Sequence, residues 1–320
     1  MNLINMMKKK VLAGGQISRE EALQLAAEPD TDALAAAADK IRAAFCGDRF
    51  DMCGVLSIKN GRCSEDCRFC PQSCIAQSEI RTVPLVSKEE ILRAGLQRAK
   101  QGVQHYCLVS NGRKISDDHL DKICEAAGEL ASQTNMKICA SLGLLDAEQL
   151  QKLKEAGVSR IHNNLETSPR YFPELCTSHT YEEKKEVIRA AHDAGLEVCS
   201  GGIIGAGETM EDRIDLALEV RSLGAESVPV NLLNAYPGTP LEGQAPLDAE
   251  EVRKVFAVFR FILPEAWLRL AAGRDRLPDS GEQCFCAGSN AAITGDMLNI
   301  RGITVEQDLR TVQSLGFRLD

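Results

Sequence analysis

The sequence predicts a complete (β/α)8 barrel of the TIM type behind a helical N-terminal extension. Three observations lead there. Eight short apolar runs follow residue 50. Helical segments separate most of them, the alternation that produces a parallel sheet. Those segments open on N-cap residues and close on glycines.

The elements follow in order. Residues 17–45 are helical in pattern, with Ser18 and Glu21 placed as a capping box and an Ala-rich run at Ala35–Ala38. They belong to an extension over 1–48, and the barrel takes 49–320. Strands are expected at Met52–Ile58, Gln104–Val109, Lys137–Ser141, Arg160–Leu165, Glu197–Gly202, Ser227–Leu232, Trp267–Ala271 and Cys284–Ala287. Helices are expected at 88–101, 117–132, 146–156, 181–194, 209–223 and 249–262, with a short seventh near 275–280 and an eighth at 305–316. Ser87 and Asp248 are N-caps. Gly102, Gly157, Gly195 and Gly224 are stops. In such a barrel chemistry gathers at the C-terminal mouth of the strands.

Composition narrows the class. The chain has 320 residues and a net charge of -9. A protein that tracks a phosphate backbone is normally basic, so no nucleic-acid partner is expected. No run reaches the roughly 18 apolar residues of a membrane helix. The N-terminus puts its apolar residues before Lys8, Lys9 and Lys10, the reverse of a secretory signal. The expectation is a cytoplasmic protein with no membrane partner. Thirteen cysteines in that setting mean metal ligands or small buried hydrophobes rather than disulfides.

Cys63, Cys67 and Cys70 directly follow the first strand, at i, i+4 and i+7. A loop so spaced can wrap three thiolates around three corners of a cubane and leave one iron open to a small molecule. A zinc knuckle would need a fourth ligand. No Cys or His stands close by at finger spacing, and Cys74 is the nearest candidate. The motif in this place resembles the radical S-adenosylmethionine superfamily. The resemblance implies an oxygen-sensitive [4Fe-4S] cluster whose open iron binds S-adenosylmethionine and splits it reductively to a 5′-deoxyadenosyl radical. Phe69 then occupies the place of the aromatic residue beside the adenine. A plain anchor packing the loop on the barrel is the other reading of Phe69.

Cys107, Cys139 and Cys199 sit on the second, third and fifth strands. Pointing inward they converge on the axis and can hold a second cluster; pointing elsewhere they are core. Seven stretches decide the context: Cys63–Gln72, Ile161–Ser168, Val198–Thr209, Glu226–Leu233, Gly238–Leu241, Arg269–Arg274 and Cys284–Asn290. In this order they resemble the biotin synthase family from about residue 50 to 316.

The resemblance implies radical insertion of sulfur into dethiobiotin, with an auxiliary [2Fe-2S] cluster as the sulfur source. Cys107, Cys139, Cys199 and Arg269 match its four ligands. A protonated guanidinium has no free lone pair, so an interior arginine is either paired with an anion or bound as a ligand. Asn164 and Glu166 match residues that contact the nucleoside and the ureido ring. Asn231 matches a substrate-facing amide. Gly201, Gly202 and Ile203 belong to the loop against which S-adenosylmethionine packs. The family also implies an electron donor such as flavodoxin or ferredoxin, and a homodimer.

The chain departs from the family's better-known members. Cys53 stands where they have serine, and His105 where they have arginine. Cys284 and Cys286 would face one side of a regular strand. Extra thiols leave room for a larger auxiliary cluster, of [4Fe-4S] type or sulfide-enriched, with Cys53 its first additional ligand. Cys53 as a mere neighbour of the cluster is the alternative. Cys46, Cys74, Cys124 and Cys176 read as structural or incidental. Rival functions are another radical enzyme on the same barrel, of the methylornithine or hydrogenase-maturation kind, and an iron–sulfur electron carrier.

Overall fold

The computed structural model describes residues 2–296 and 302–319. Three helices come first: α1 (Leu3–Leu12), α2 (Arg19–Ala26) and α3 (Thr31–Cys46). The Ser18–Glu21 capping box forms as expected and opens α2. The first helix was not anticipated. It buries Ile4, Met7 and Val11, a single stripe at helical spacing.

The barrel strands are β1 (Arg49–Lys59), β2 (His105–Ser110), β3 (Lys137–Ser141), β4 (Val158–His162), β5 (Glu197–Cys199), β6 (Gly202–Ile204), β7 (Ser227–Leu232), β8 (Trp267–Leu270) and β9 (Ala291–Thr294). All their pairings are parallel, and β9 pairs back onto β1, so the barrel closes. A short β10 (Arg318–Leu319) adds to the start of β1. Between strands run α4 (Lys88–Lys100), α5 (Asp117–Gln133), α6 (Ala147–Glu155), α7 (Phe172–Leu175), α8 (Tyr181–Asp193), α9 (Met210–Ser222), α10 (Ala249–Ile262), α11 (Glu282–Phe285) and α12 (Val305–Ser314). Ser87 and Asp248 cap α4 and α10 by accepting from the Glu90 and Glu251 amides. The extension is fastened to the barrel where α3 packs on α10. Leu34, Ala38 and Ile41 of α3 are fully buried there with Val255, Phe256 and Phe259 of α10.

The fifth strand is broken in two, and the cause is local. Pro229 of β7 has no amide proton to pair across the sheet. Opposite it the chain steps out at Ser200-Gly201, and a Cβ on Gly201 would stand 2.0 Å from the Pro229 carbonyl oxygen. Pairing resumes at Gly202 with Val230.

Three expectations are corrected. Cys284–Ala287 is not a strand: Gly281 and Gly288 both have positive φ, 93° and 101°, and bracket the single turn of α11. The last barrel strand is β9 instead, and Cys284 is buried while Cys286 is exposed. The helix placed near 275–280 is a three-residue 3-10 turn at Arg274–Arg276. Strand four ends at His162, so Asn164 and Glu166 lie on the loop beyond it.

Candidate active site

One cavity of about 330 Å³ runs down the barrel from its C-terminal mouth. Cys53, Cys107, Cys139, Cys199 and Arg269 line its wall, and Phe69, Cys70, Asn164, Glu166, Ile203 and Asn231 line its upper part. The sequence scatters these residues over more than 200 positions; the strands collect them.

Register explains the wall. Cys107 on β2 pairs with Cys139 on β3, and Cys139 pairs with Arg160 on β4. Cys53, Cys107 and Cys139 form one buried cluster with Val55 and Val109 packed against it. Cys199 donates to the Ser227 hydroxyl at 3.3 Å. Burial pushes the thiols of Cys107 and Cys199 up from their ordinary values, and the hydrogen bond with Cys53 together with burial does the same for Cys139. A metal bound here would displace protons from these thiols. Cys53 goes the other way, lowered by its hydrogen bond with the Cys139 thiol and by nearby Arg269, against the effect of burial. Four thiols around one apolar cavity form a donor set suited to an iron–sulfur cluster.

Arg269 pairs with an anion, Asp51, which the sequence did not reveal. One Arg269 nitrogen meets an Asp51 carboxylate oxygen, and another donates to the Ala292 carbonyl at 3.1 Å. His105 Nδ1 lies 2.6 Å from the other Asp51 oxygen. Burial alone would raise the Asp51 carboxyl, but Arg269, His105 and Arg160 hold it well below the usual range. Burial lowers His105 from its ordinary value, against the raising effect of its bond to Asp51. Its Nε2 is buried without a hydrogen-bond partner.

The Cys63–Cys70 loop is irregular and is held from outside. Asp66 accepts from the amides of Thr177 and Ser178 at 2.9 and 3.0 Å. Glu65 accepts from Ser178 Oγ at 2.8 Å and lies 2.6 Å from His179 Nδ1. Cys176, expected to be incidental, lies with its sulfur 3.7 Å from that of Cys67. Cys67, Cys176 and His179 offer ligand atoms within 4.8 Å of one another. Cys176 and His179 thus form a polar flank to the loop cysteine, as outer partners do around metal sites. Burial pushes the Cys70 thiol up to about 11, with Cys63 adding in the same direction. Three thiols on one short loop, with Cys70 facing the cavity, fit three corners of a cubane.

At the mouth, Asn164 Oδ1 accepts from the Gly201 amide at 3.1 Å and its Nδ2 donates to Glu166 at 3.3 Å. Asn231 donates to Gly202 O and accepts from the Ala272 amide. Each amide keeps donor and acceptor capacity for a ligand. Glu166 has φ 71°, a left-handed conformation rare for a side-chain-bearing residue. Burial raises its carboxyl. A Cβ on Gly202 would stand 2.2 Å from Glu166 O, so glycine is required where the two loops meet. Phe69 and Ile203 pack in one apolar cluster with Tyr171 and Leu175. His162 is driven down to about 4 by burial and Lys184, and its Nδ1 sits 3.0 Å from Ser141 Oγ.

The 201–209 loop is anchored from behind. Glu208 accepts from the Gly205 and Ala206 amides, both at 2.7 Å. Asp212 accepts from Thr209 N, Ser168 Oγ and Arg170. Burial opposes ionisation of Asp212, but Arg170, Ser168 and the Thr209 cap hold it well below the carboxylate range. Its stabilisation is complete above the unfolded value of about 3.9 and is lost as pH falls from there toward the depressed folded value. Asp212→Ala is expected to cost about 2 kcal/mol at pH 7. In urea titrations the gap to the unsubstituted chain should close below about pH 4; a pH-independent gap would contradict this assignment.

Among the described residues no helix is long and apolar enough to cross a membrane. Residues 57–220 match the family model for the Radical SAM superfamily, and 229–318 that for the Biotin and Thiamin Synthesis associated domain. Biotin synthase 2 of Corynebacterium diphtheriae is 47% identical over 99% of this chain and 96% of its own length. A biotin synthase of Clostridium botulinum (strain Alaska E43 / Type E3) is 46% identical over the whole of both chains. Among solved structures, methylornithine synthase superposes with TM-score 0.84 at 21% identity, over 98% of this chain and 97% of that one. HydG, a maturase of the [FeFe]-hydrogenase, gives 0.85 at 17% over 99% and 75%. These two speak for the shared barrel alone. Profile, full-length identity and barrel agree: the chain belongs to the biotin synthase family of the radical S-adenosylmethionine superfamily.

Proposed function

We propose that this chain inserts sulfur into dethiobiotin to form biotin, and that Cys53 is an additional ligand of its sulfur-donating cluster. One observation carries the reading: four buried thiols and an arginine line the same cavity whose mouth is set with Asn164, Glu166 and Asn231. When bound, S-adenosylmethionine with a [4Fe-4S] cluster supplies the radical chemistry, and an auxiliary iron–sulfur cluster supplies the sulfur.

The protein's own residues do the rest. Cys63, Cys67 and Cys70 hold the first cluster at the mouth. Phe69, Ile203, Gly201 and Gly202 form the apolar and backbone surface for the nucleoside. Asn164 and Glu166 provide polar contacts for it, and Asn164 and Asn231 offer paired donors and acceptors to a neutral urea. The apolar wall excludes water from the reacting centre. Cys107, Cys139 and Cys199 hold the auxiliary cluster, and Arg269, tied to Asp51, presents a fixed positive charge to it. A small electron carrier of the flavodoxin or ferredoxin kind is the proposed donor.

The test is anaerobic reconstitution with iron and sulfide, followed by incubation with dethiobiotin, S-adenosylmethionine and dithionite. Biotin and 5′-deoxyadenosine should both appear. Iron counting then addresses Cys53. The chain should hold more than two irons beyond the first cluster, and Cys53→Ser should reduce that excess while sparing the first cluster. An excess of two in the unsubstituted chain would reject the larger cluster.

A further inference from the structure

The barrel wall carries a second buried guanidinium, that of Arg160. Arg160 lies on β4, paired in register with Cys139 of β3 on one side and Glu197 of β5 on the other. Its side chain is only 2% exposed and lines the same cavity as the four cysteines. Arg160 Nε and Nη2 donate to Glu197 at 3.0 and 2.7 Å. Glu197 is itself 35% exposed and shares its charge with Lys137 at 3.2 Å, so solvent screens it. On the cavity side Arg160 Nη1 stands 3.9 Å from Asp51, beyond hydrogen-bond distance. Asp51 is already engaged by Arg269 and His105.

Two buried guanidinium groups, Arg160 and Arg269, thus share one buried carboxylate, Asp51, and one partly exposed carboxylate, Glu197. Neither arginine can shed its proton to relieve this. A buried cation whose partner carboxylate is partly screened by solvent keeps part of its desolvation cost. Glu197 meets the Arg160 charge from the outer side of the wall, and an anion in the cavity would meet it from the inner side. A cluster bound by thiolates is such an anion, and each thiolate beyond three adds one negative charge.

We propose that Arg160 is a positioning residue of the sulfur-donor site, the counter-charge to the fourth thiolate contributed by Cys53. The inference rests on the reading of Cys53 as a ligand. Arg160, held by Glu197, supports the cluster from the β4 side, and Arg269, held by Asp51, from the β8 side. The extra thiolate and the extra guanidinium then bring opposite charges to one cavity.

The test separates charge from structure. Arg160→Gln keeps an amide for Glu197 but removes the charge, and Arg160→Lys keeps the charge but loses the fork. Each holo-protein is reconstituted anaerobically and assayed for iron and sulfide, and its auxiliary-cluster midpoint potential is measured by spectroscopically monitored titration. Arg160→Gln should move the auxiliary potential down, because a nearby positive charge favours the reduced state. It should weaken retention of that cluster about 10-fold, as loss of an outer partner does at other metal sites. Arg160→Lys should restore most of the potential. The first cluster should be unaffected in both. In a Cys53→Ser background, Arg160→Gln should cost less cluster than it does alone.

An auxiliary potential and iron content unchanged in Arg160→Gln would overturn the proposal. So would equal effects in the Gln and Lys variants, since that would make Arg160 only a brace for Glu197. The iron count of the unsubstituted chain reports on Cys53 separately, so failure of that reading is distinguishable from failure of this one.

Discussion

Cys70→Ala is expected to give a folded protein that forms neither 5′-deoxyadenosine nor biotin. The fold should survive because Cys70 sits in a loop without helix or strand, whose shape is set by Asp66 and Glu65 bonding to 177–179. Removing one sulfur from a partly exposed position costs no more than about 1 kcal/mol. The chemistry should not survive. Two thiolates leave two irons unprotected, and the cluster either fails to assemble or is lost. Iron analysis should fall by the content of the first cluster, and chromatography of the nucleoside products should show no 5′-deoxyadenosine after dithionite. Normal nucleoside formation by this variant would mean that the trio is not the cluster's ligand set.

Cys139→Ala should behave differently in an informative way. Cys139 is 2% exposed and far from the loop in sequence, so its loss creates a small cavity costing about 1–2 kcal/mol. The first cluster keeps all its ligands. Cleavage of S-adenosylmethionine should continue, while biotin formation disappears because the sulfur source is no longer held. The assay is the ratio of 5′-deoxyadenosine to biotin, and it should rise without limit. A variant in which both products fall together would place Cys139 in the first cluster or in the fold rather than at the sulfur source. The pair of variants thus splits the reaction into its two halves with two side chains from the same cavity.

Most of the barrel was legible because its signals are local. Capping boxes, glycine stops and β-rich runs act within a few residues, and β3 and β7 fall where the sequence put them. The last strand was misplaced for a local reason too. Cys284–Ala287 is apolar enough for a strand, but glycines on both sides turn it into a helical step. The true strand, Ala291–Thr294, has weak β-propensity and owes its state to lying between β8 and β1. The site was legible where a motif is contiguous, as at Cys63–Cys70, or where resemblance supplied it, as at Asn164 and Arg269. Asp51, Arg160 and Cys176 were not. Asp51 and Arg160 matter through barrel register, and Cys176 through a loop returning more than 100 residues later to meet Cys67. None has a neighbour in sequence that announces it.

Asp66 has a consequence for the life of the molecule beyond a single turnover. Its one carboxylate gathers the Thr177 and Ser178 amides, the Thr177 hydroxyl and the Cys176 thiol. Those bonds involve no iron. They can therefore hold the loop while its inorganic cargo is lost and reassembled. For a protein whose sulfur source is consumed in each product, durability of the empty vessel is what makes repair worthwhile.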